Sequence, residues 1–238
     1  MKAKRQVNIF HFKGFSVRHD RCAMKVGTDA VLLGAWVNVN GALRILDVGT
    51  GSGVIALMLA QRTSEETRVD AIELEEVDAD QAKENVLQSA WPGKISVHHS
   101  RLQEFSPGWQ YDLIVSNPPF FVKSLLSPSK ERTKARHAND LTFEELISYS
   151  LRLLSTKGRL AVILPFSEGN IFKSLAKAHH LHVTRETAFH SRKEKQQERW
   201  LFEFSCVDSL AIADQLILYT DDGDKTKEYI NLTKDFYL

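Results

Sequence analysis

The chain has 238 residues, of which 43% are hydrophobic and 26% charged, with a formal net charge of +1. That length builds one sizeable core without disulfide staples, and the composition is that of an ordinary globular protein. The longest apolar run, Val54 to Ala60, is far too short to span a bilayer, and the basic segment Met1 to Val7 lacks the apolar stretch of a signal peptide. A cytoplasmic protein without membrane attachment is therefore expected, with Cys22 and Cys206 as two separate, reduced and buried thiols.

The small net charge conceals a polarised layout. Residues 1–29 carry seven Lys/Arg against two Asp, whereas residues 64–84 carry nine acids against two bases. Residues 121–140 are basic again, with Lys123, Lys130, Arg132, Lys134 and Arg136 against Glu131 and Asp140. A polyanion can bind such a basic face without the whole chain being basic.

In chain order, residues 1–42 form a basic lead-in that ends in a short helix over Asp29 to Trp36, with Thr28 or Asp29 as its cap. From residue 43 onward strand and helix patterns alternate. Strands are expected at 43–48, 68–73, 95–98, 111–116, 159–164, 181–188 and 199–205, and helices at 54–62, 75–89, 142–154 and 167–179. Thr142 with Glu145 three residues on has the form of a capping box. The basic stretch 121–140 reads as a long loop, and the tail offers one more strand at 216–219, a turn at 221–224 and a terminal helix. Such alternation implies an α/β fold, a mostly parallel sheet with helices on both faces. The domain plan is a lead-in over 1–42 and one catalytic domain over 43–238.

Asp47-Val48-Gly49-Thr50-Gly51-Ser52-Gly53 leaves the first apolar strand and enters a helix. Glycines permit positive φ and let the backbone approach a ligand closely. The spacing is G-x-G-x-G, with Val54 where a dinucleotide site has its third glycine, and Asp47 would repel a pyrophosphate. An acid there suits a ligand with a positive α-amino group, as in S-adenosylmethionine, so Asp47, Gly49, Gly51 and Gly53 are assigned to its methionine end. Glu73 closes the next strand and is placed to accept hydrogen bonds from both ribose hydroxyls. Glu75 and Glu76 are rivals by position, but they suit the start of the following helix.

Asn117-Pro118-Pro119-Phe120 follows an apolar strand directly. The prolines lack N–H groups and hold the residue before each of them extended, so strand-end carbonyls point outward. An amino group on an aromatic ring or amide is a weak nucleophile, because its lone pair is delocalised. The Asn117 side-chain oxygen and the Pro118 carbonyl suit its two N–H bonds, holding the nitrogen toward a methyl donor, and Phe120 offers a stacking face for a base. No general base is required in advance, since the nitrogen attacks first and loses its proton afterwards. Lys123, Lys130, Arg132, Lys134 and Arg136 follow this step and are expected to contact phosphates, with Lys2, Lys4, Arg5 and the cluster Arg192-Lys193-Glu194-Lys195 adding to them. The pairs His98-His99 and His179-His180 diverge along a strand or helix, and no metal is expected.

Taken together, these motifs resemble the bacterial tRNA1(Val) N6-adenine methyltransferases over nearly the whole length. The resemblance runs from Phe15 to Asp29, through Ala56 to Arg62 and Asn117 to Phe120, to the closing Phe236-Tyr237-Leu238. It implies a class I methyltransferase, a Rossmann-like sheet of seven strands, acting on the adenosine just 3′ of the anticodon, position 37. It also implies that Lys25 through Asp29 fold over the cofactor, with Thr28 or Asp29 near its methionine part. Two departures stand out. Arg101 occupies the place where the family usually has an acid near the cofactor adenine, which leaves the Leu102 backbone N–H, Ser100 or apolar packing for that role. Phe120 replaces a commoner tyrosine, losing only a hydroxyl. The same catalytic step also serves enzymes acting on other RNA, DNA adenine or protein glutamine. DNA enzymes usually carry a large recognition insertion and glutamine enzymes an extra helical domain, for which this chain has little room. A non-catalytic cofactor- or RNA-binding module would have no need of Asn117. No heptad or unmistakable apolar patch is legible, so oligomeric state is left open, with a monomer favoured.

Overall fold

The computed structural model describes residues 8–119 and 141–238. A two-stranded antiparallel ribbon, β1 (Ile9–His11) and β2 (Ser16–Arg18), leads into α1 (Thr28–Trp36). Then β3 (Arg44–Val48), α2 (Val54–Arg62), β4 (Arg68–Glu73), α3 (Glu76–Leu87), β5 (Ile95–His99) and β6 (Tyr111–Ser116) alternate. After residue 141 come α4 (Phe143–Leu153), β7 (Leu154–Pro165), α5 (Phe166–Ala178), β8 (His182–Arg192), β9 (Arg199–Ser205), β10 (Ile212–Tyr219) and α6 (Lys227–Thr233).

Among the described residues the main sheet has eight strands in the order β10-β8-β9-β7-β6-β3-β4-β5, one more than the seven expected. The eighth is β10, whose short apolar end was visible in sequence and whose polar first half pairs with β8 along the edge. Only β9 runs antiparallel to its neighbours. It returns across a short connection from β8, whereas the parallel pairs among β3 to β7 are joined through crossover helices; β8 and β10 are parallel because β9 lies between them in the chain.

The central strands are apolar on both faces because helices cover both. In β7, Ala161 and Ile163 join the core under α1 and α2, while Leu160, Val162 and Leu164 join the core under α4 and α5. That period of two divides one strand between two cores. Val54 to Ala60 of α2 are all buried, which explains why this helix shows no polar stripe. The lead-in is part of the same packing. Phe12, Phe15 and Val17 are buried in the first core, and the Lys13 N–H donates to the Phe236 carbonyl at 2.8 Å, fastening the two ends of the chain together.

Two local expectations change. The cap of α1 is Gly27, with no side-chain cap bond, so Thr28 and Asp29 lie in the first turn, where Asp29 favours the helix dipole. Of the cysteines, Cys206 is exposed just beyond β9 and Cys22 is half-buried, although both are free thiols.

The Thr142 capping box is formed. The Glu145 N–H donates to Thr142 Oγ1 at 3.2 Å, and the Thr142 N–H donates to the Glu145 carboxylate at 2.9 Å. Thr142→Ala is expected to cost about 1 kcal/mol, read as a fall of roughly 2–4 °C in Tm. A melt superimposable on that of the parent would show that the cap contributes nothing.

Candidate functional site

Chain order reverses at β3, which has β4 on one side and β6 on the other. Ligands on open α/β sheets bind outside the carboxyl ends of the strands at such a reversal. The register puts Val48 beside Ile72 and beside Ser116. The next residue on each strand is then Gly49, Glu73 and Asn117, three positions that sequence reasoning had selected separately. They stand in a row at one sheet edge, spanning about 10 Å at ordinary strand spacing.

The glycine loop rises from β3 into α2. Gly49, Gly51 and Gly53 have φ of +72°, +53° and +84°, which side chains rarely adopt. A Cβ at Gly49 or Gly51 would meet no protein atom within 4 Å, so the loop borders open space there. The Gly49 and Thr50 N–H groups donate to the Ile72 carbonyl, each at 3.0 Å, and the Gly51 N–H donates to Glu73 Oε2 at 2.8 Å. Glu73 Oε1 accepts from the Leu74 and Glu75 N–H groups. Burial raises the Glu73 pKa, opposed by those backbone bonds. Glu75 and Glu76 cap and begin α3, which leaves Glu73 as the strand-end acid.

Asp47 is fully buried beneath the loop. Its Oδ2 accepts from Thr50 Oγ1 at 2.6 Å and from the Ala56 N–H at 3.1 Å, tying the loop to the first turn of α2. Its Oδ1 is buried without a hydrogen-bond partner among the described residues. Burial pushes the carboxyl up to about 7, against the pull of those two bonds.

At the end of β6, the Ser116 hydroxyl donates to the Val48 carbonyl at 2.9 Å, which pins the strand end to β3. Asn117 Oδ1 is also buried and has no partner among the described residues. A buried acceptor left unpaired is costly, so two such oxygens near adjacent strand ends mark a place where a ligand's donors would be welcome. Pro118 is buried and Pro119 exposed. Phe120, Lys123, Lys130, Arg132, Lys134 and Arg136, and also Lys2, Lys4 and Arg5, lie outside the described residues.

Among the other expected cofactor residues, Asp29 is held by Arg199 at 2.9 Å and Leu102 is buried after β5. The Ser100 N–H donates to the Glu73 carbonyl at 2.9 Å, which brings the 100–102 segment to the same edge. Lys25 and Thr28 flank the start of α1, where the Val26 N–H donates to His19 Nδ1 at 3.0 Å. Sequence reasoning missed Thr50 as the partner of Asp47. It also missed Asp78, Gln81 and Asn85, which lie in the acid-rich helix expected at 75–89 and are buried. Their spacing of three and four was the available signal.

Residues 22–170 match the family model of the methyltransferase small domain. A protein of Flavobacterium psychrophilum is 44% identical, with 97% of this chain and 99% of that one covered. One of Bacteroides thetaiotaomicron is 41% identical (96% and 97%), and one of Escherichia coli O157:H7 is 40% identical (97% and 95%). Each of these is a tRNA1(Val) (adenine(37)-N6)-methyltransferase.

The chain belongs to the tRNA1(Val) (adenine(37)-N6)-methyltransferase family.

Solved methyltransferases share the fold of this family member at low identity. A predicted O-methyltransferase from Agrobacterium tumefaciens superposes with a TM-score of 0.69 at 19% identity, covering 87% of this chain and 96% of that one. TYW2 of P. horikoshii, solved in complex with MeSAdo, gives 0.59 at 14% identity, covering 84% and 71%. The architecture is therefore that of class I methyltransferases, with the family's conspicuous motifs on adjacent strand ends. Among the described residues, no helix is long and apolar enough to cross a membrane.

Proposed function

We propose that the chain transfers a methyl group from S-adenosylmethionine to the N6 amino group of adenosine 37 in tRNA1(Val). The observation that carries this reading is the shared register of Gly49, Glu73 and Asn117 at the strand-order reversal. It sets a cofactor loop, a ribose acid and an amide acceptor at adjacent strand ends. The fit to the cofactor is supported by the open space at Gly49 and Gly51 and by Asp47 Oδ1, which has no partner among the described residues and is suited to an ammonium group. When bound, the cofactor supplies an electrophilic methyl to the target nitrogen.

The chain's own residues do the rest. The glycine loop, with Asp47 beneath it, holds the methionine end, directly or through water. Glu73 retains lone pairs beyond its three backbone bonds and accepts from the ribose hydroxyls. Leu102 packs at the adenine, and Lys25 to Asp29 cover the methionine side. Asn117 Oδ1 and the Pro118 carbonyl accept the two N–H bonds of the adenine amino group and keep its lone pair aimed at the methyl. Phe120 stacks on the extruded base. Lys123, Lys130, Arg132, Lys134 and Arg136 contact phosphates around it, so the partner is tRNA and the setting the cytoplasm.

Incubation with methyl-labelled cofactor and, separately, unmodified tRNA1(Val), duplex DNA and a release-factor protein tests the reading. Label is expected in tRNA as N6-methyladenosine, and is expected to vanish when adenosine 37 is replaced by guanosine. Labelling of DNA or protein in place of tRNA would overturn it.

A further inference from the structure

Asp78, Gln81 and Asn85 form a buried polar stripe along one face of α3. Such a stripe is tolerated only where its groups find partners. The partners here belong to the segment that follows β2. The Ala23 N–H lies 3.4 Å from both Asp78 oxygens, and Arg21 Nε donates to Gln81 Oε1 at 3.1 Å and forms an ion pair with Glu84. Asn85 goes further. Its Oδ1 accepts the Arg18 N–H at 2.9 Å, and its Nδ2 donates to the Arg18 carbonyl at 2.8 Å and to the Ser52 carbonyl at 2.8 Å. One side chain thus treats Arg18 as a neighbouring strand would, and spends its remaining N–H on the residue between Gly51 and Gly53. The same segment carries Cys22 into the field of Glu73. Burial, with the Asp78 and Glu73 carboxylates nearby, pushes the Cys22 thiol up to about 12.

We propose that Asn85 is a positioning residue that joins the 18–27 segment to the glycine loop, so that a cofactor seated on the loop also orders the segment above it. This rests on reading the loop as the cofactor site. Asn85 touches neither substrate nor cofactor; it acts through Ser52 and Arg18. Because coupling between two elements is reciprocal, loosening the junction weakens cofactor binding as well as the segment's order.

Asn85→Asp keeps an acceptor for the Arg18 N–H but sets an oxygen against two carbonyls, and Asn85→Ala removes every bond. Affinity for S-adenosylhomocysteine is measured by calorimetry, and trypsin cleavage after Arg18, Arg21 and Lys25 is followed with and without it. In both variants affinity is expected to fall about tenfold or more, with ligand protection of those sites lost. At saturating cofactor kcat is expected to stay within about threefold, the split that distinguishes a binding junction from general damage. Wild-type affinity and protection in a variant that melts cooperatively would overturn the proposal. Hydrogen exchange on the unmodified protein tests it without mutation. The ligand is expected to slow exchange in residues 18–27 together with 49–53, and slowing confined to 49–53 overturns it. Failure of the wild-type protein to bind S-adenosylhomocysteine would instead overturn the cofactor assignment beneath it.

Discussion

Asn117→Ala is expected to lower kcat for tRNA methylation by about 10²–10³-fold while changing cofactor affinity by less than about threefold. The side chain stands at the end of β6 with Oδ1 buried and unpaired, so alanine removes an acceptor and breaks no bond to the described residues. Folding should therefore be unaffected, and removing an unsatisfied buried oxygen even favours the apo state. The loss falls on the transition state, where the nitrogen must leave conjugation with its ring and acquire positive charge. An oxygen fixed beside its N–H bonds strengthens its hold as that charge develops. Single-turnover rates at saturating cofactor and tRNA, with calorimetric cofactor binding alongside, separate the two effects. A variant that retains turnover would remove Asn117 from the reaction, and one that loses cofactor binding would make it a binding residue.

The second large effect concerns pH. Burial pushes the Asp47 carboxyl up to about 7 in the folded chain, against an ordinary 3.8. The neutral form is the one that burial favours. Its contribution to stability is therefore complete below the ordinary value and is lost as pH rises through about 7. A cationic amino group placed at Oδ1 reverses the preference, because it favours the carboxylate. Cofactor binding is thus expected to tighten as pH rises from about 6 to about 7.5, with close to one proton released per molecule bound at the lower end. Asp47→Asn keeps the shape but not the charge. It should bind at least about tenfold more weakly at the upper pH and show almost no dependence across the interval. Calorimetry in buffers of different ionisation enthalpy counts the protons directly. A wild-type affinity that is flat with pH would mean that Asp47 serves only to tie Thr50 and Ala56.

Much of the architecture was legible because the chain carries strong local signals. The alternation of β3, α2, β4 and α3 follows from hydrophobic period and from the glycine and proline stops between them. The α2 and β4 boundaries coincide with the expected ones. The three site motifs were legible for the same reason, since each is a short run with its own backbone demand: positive φ in the loop, an acid at a strand end, two prolines after an apolar strand. Non-local features were not legible. The antiparallel placement of β9 between β7 and β8 depends on pairing partners, and no strand's own residues encode its neighbour. The cap of α1 at Gly27, beside the Val26 N–H that donates to His19 Nδ1, was likewise not legible, since the local preference pointed to Thr28 or Asp29. The buried polar stripe on α3 was not legible because its partners lie about sixty residues earlier in the chain.

By itself the sequence determined the parts: an alternating α/β chain, a glycine loop with an acid before it, an acid closing the next strand and an amide-proline step. Tertiary structure alone decided that Gly49, Glu73 and Asn117 stand abreast, because strand register is set by long-range hydrogen bonding and burial on both faces. It also decided that Asp47 lies fully buried under the loop, which raises its carboxyl pKa, since burial is a property of the assembled core and not of any short run of residues.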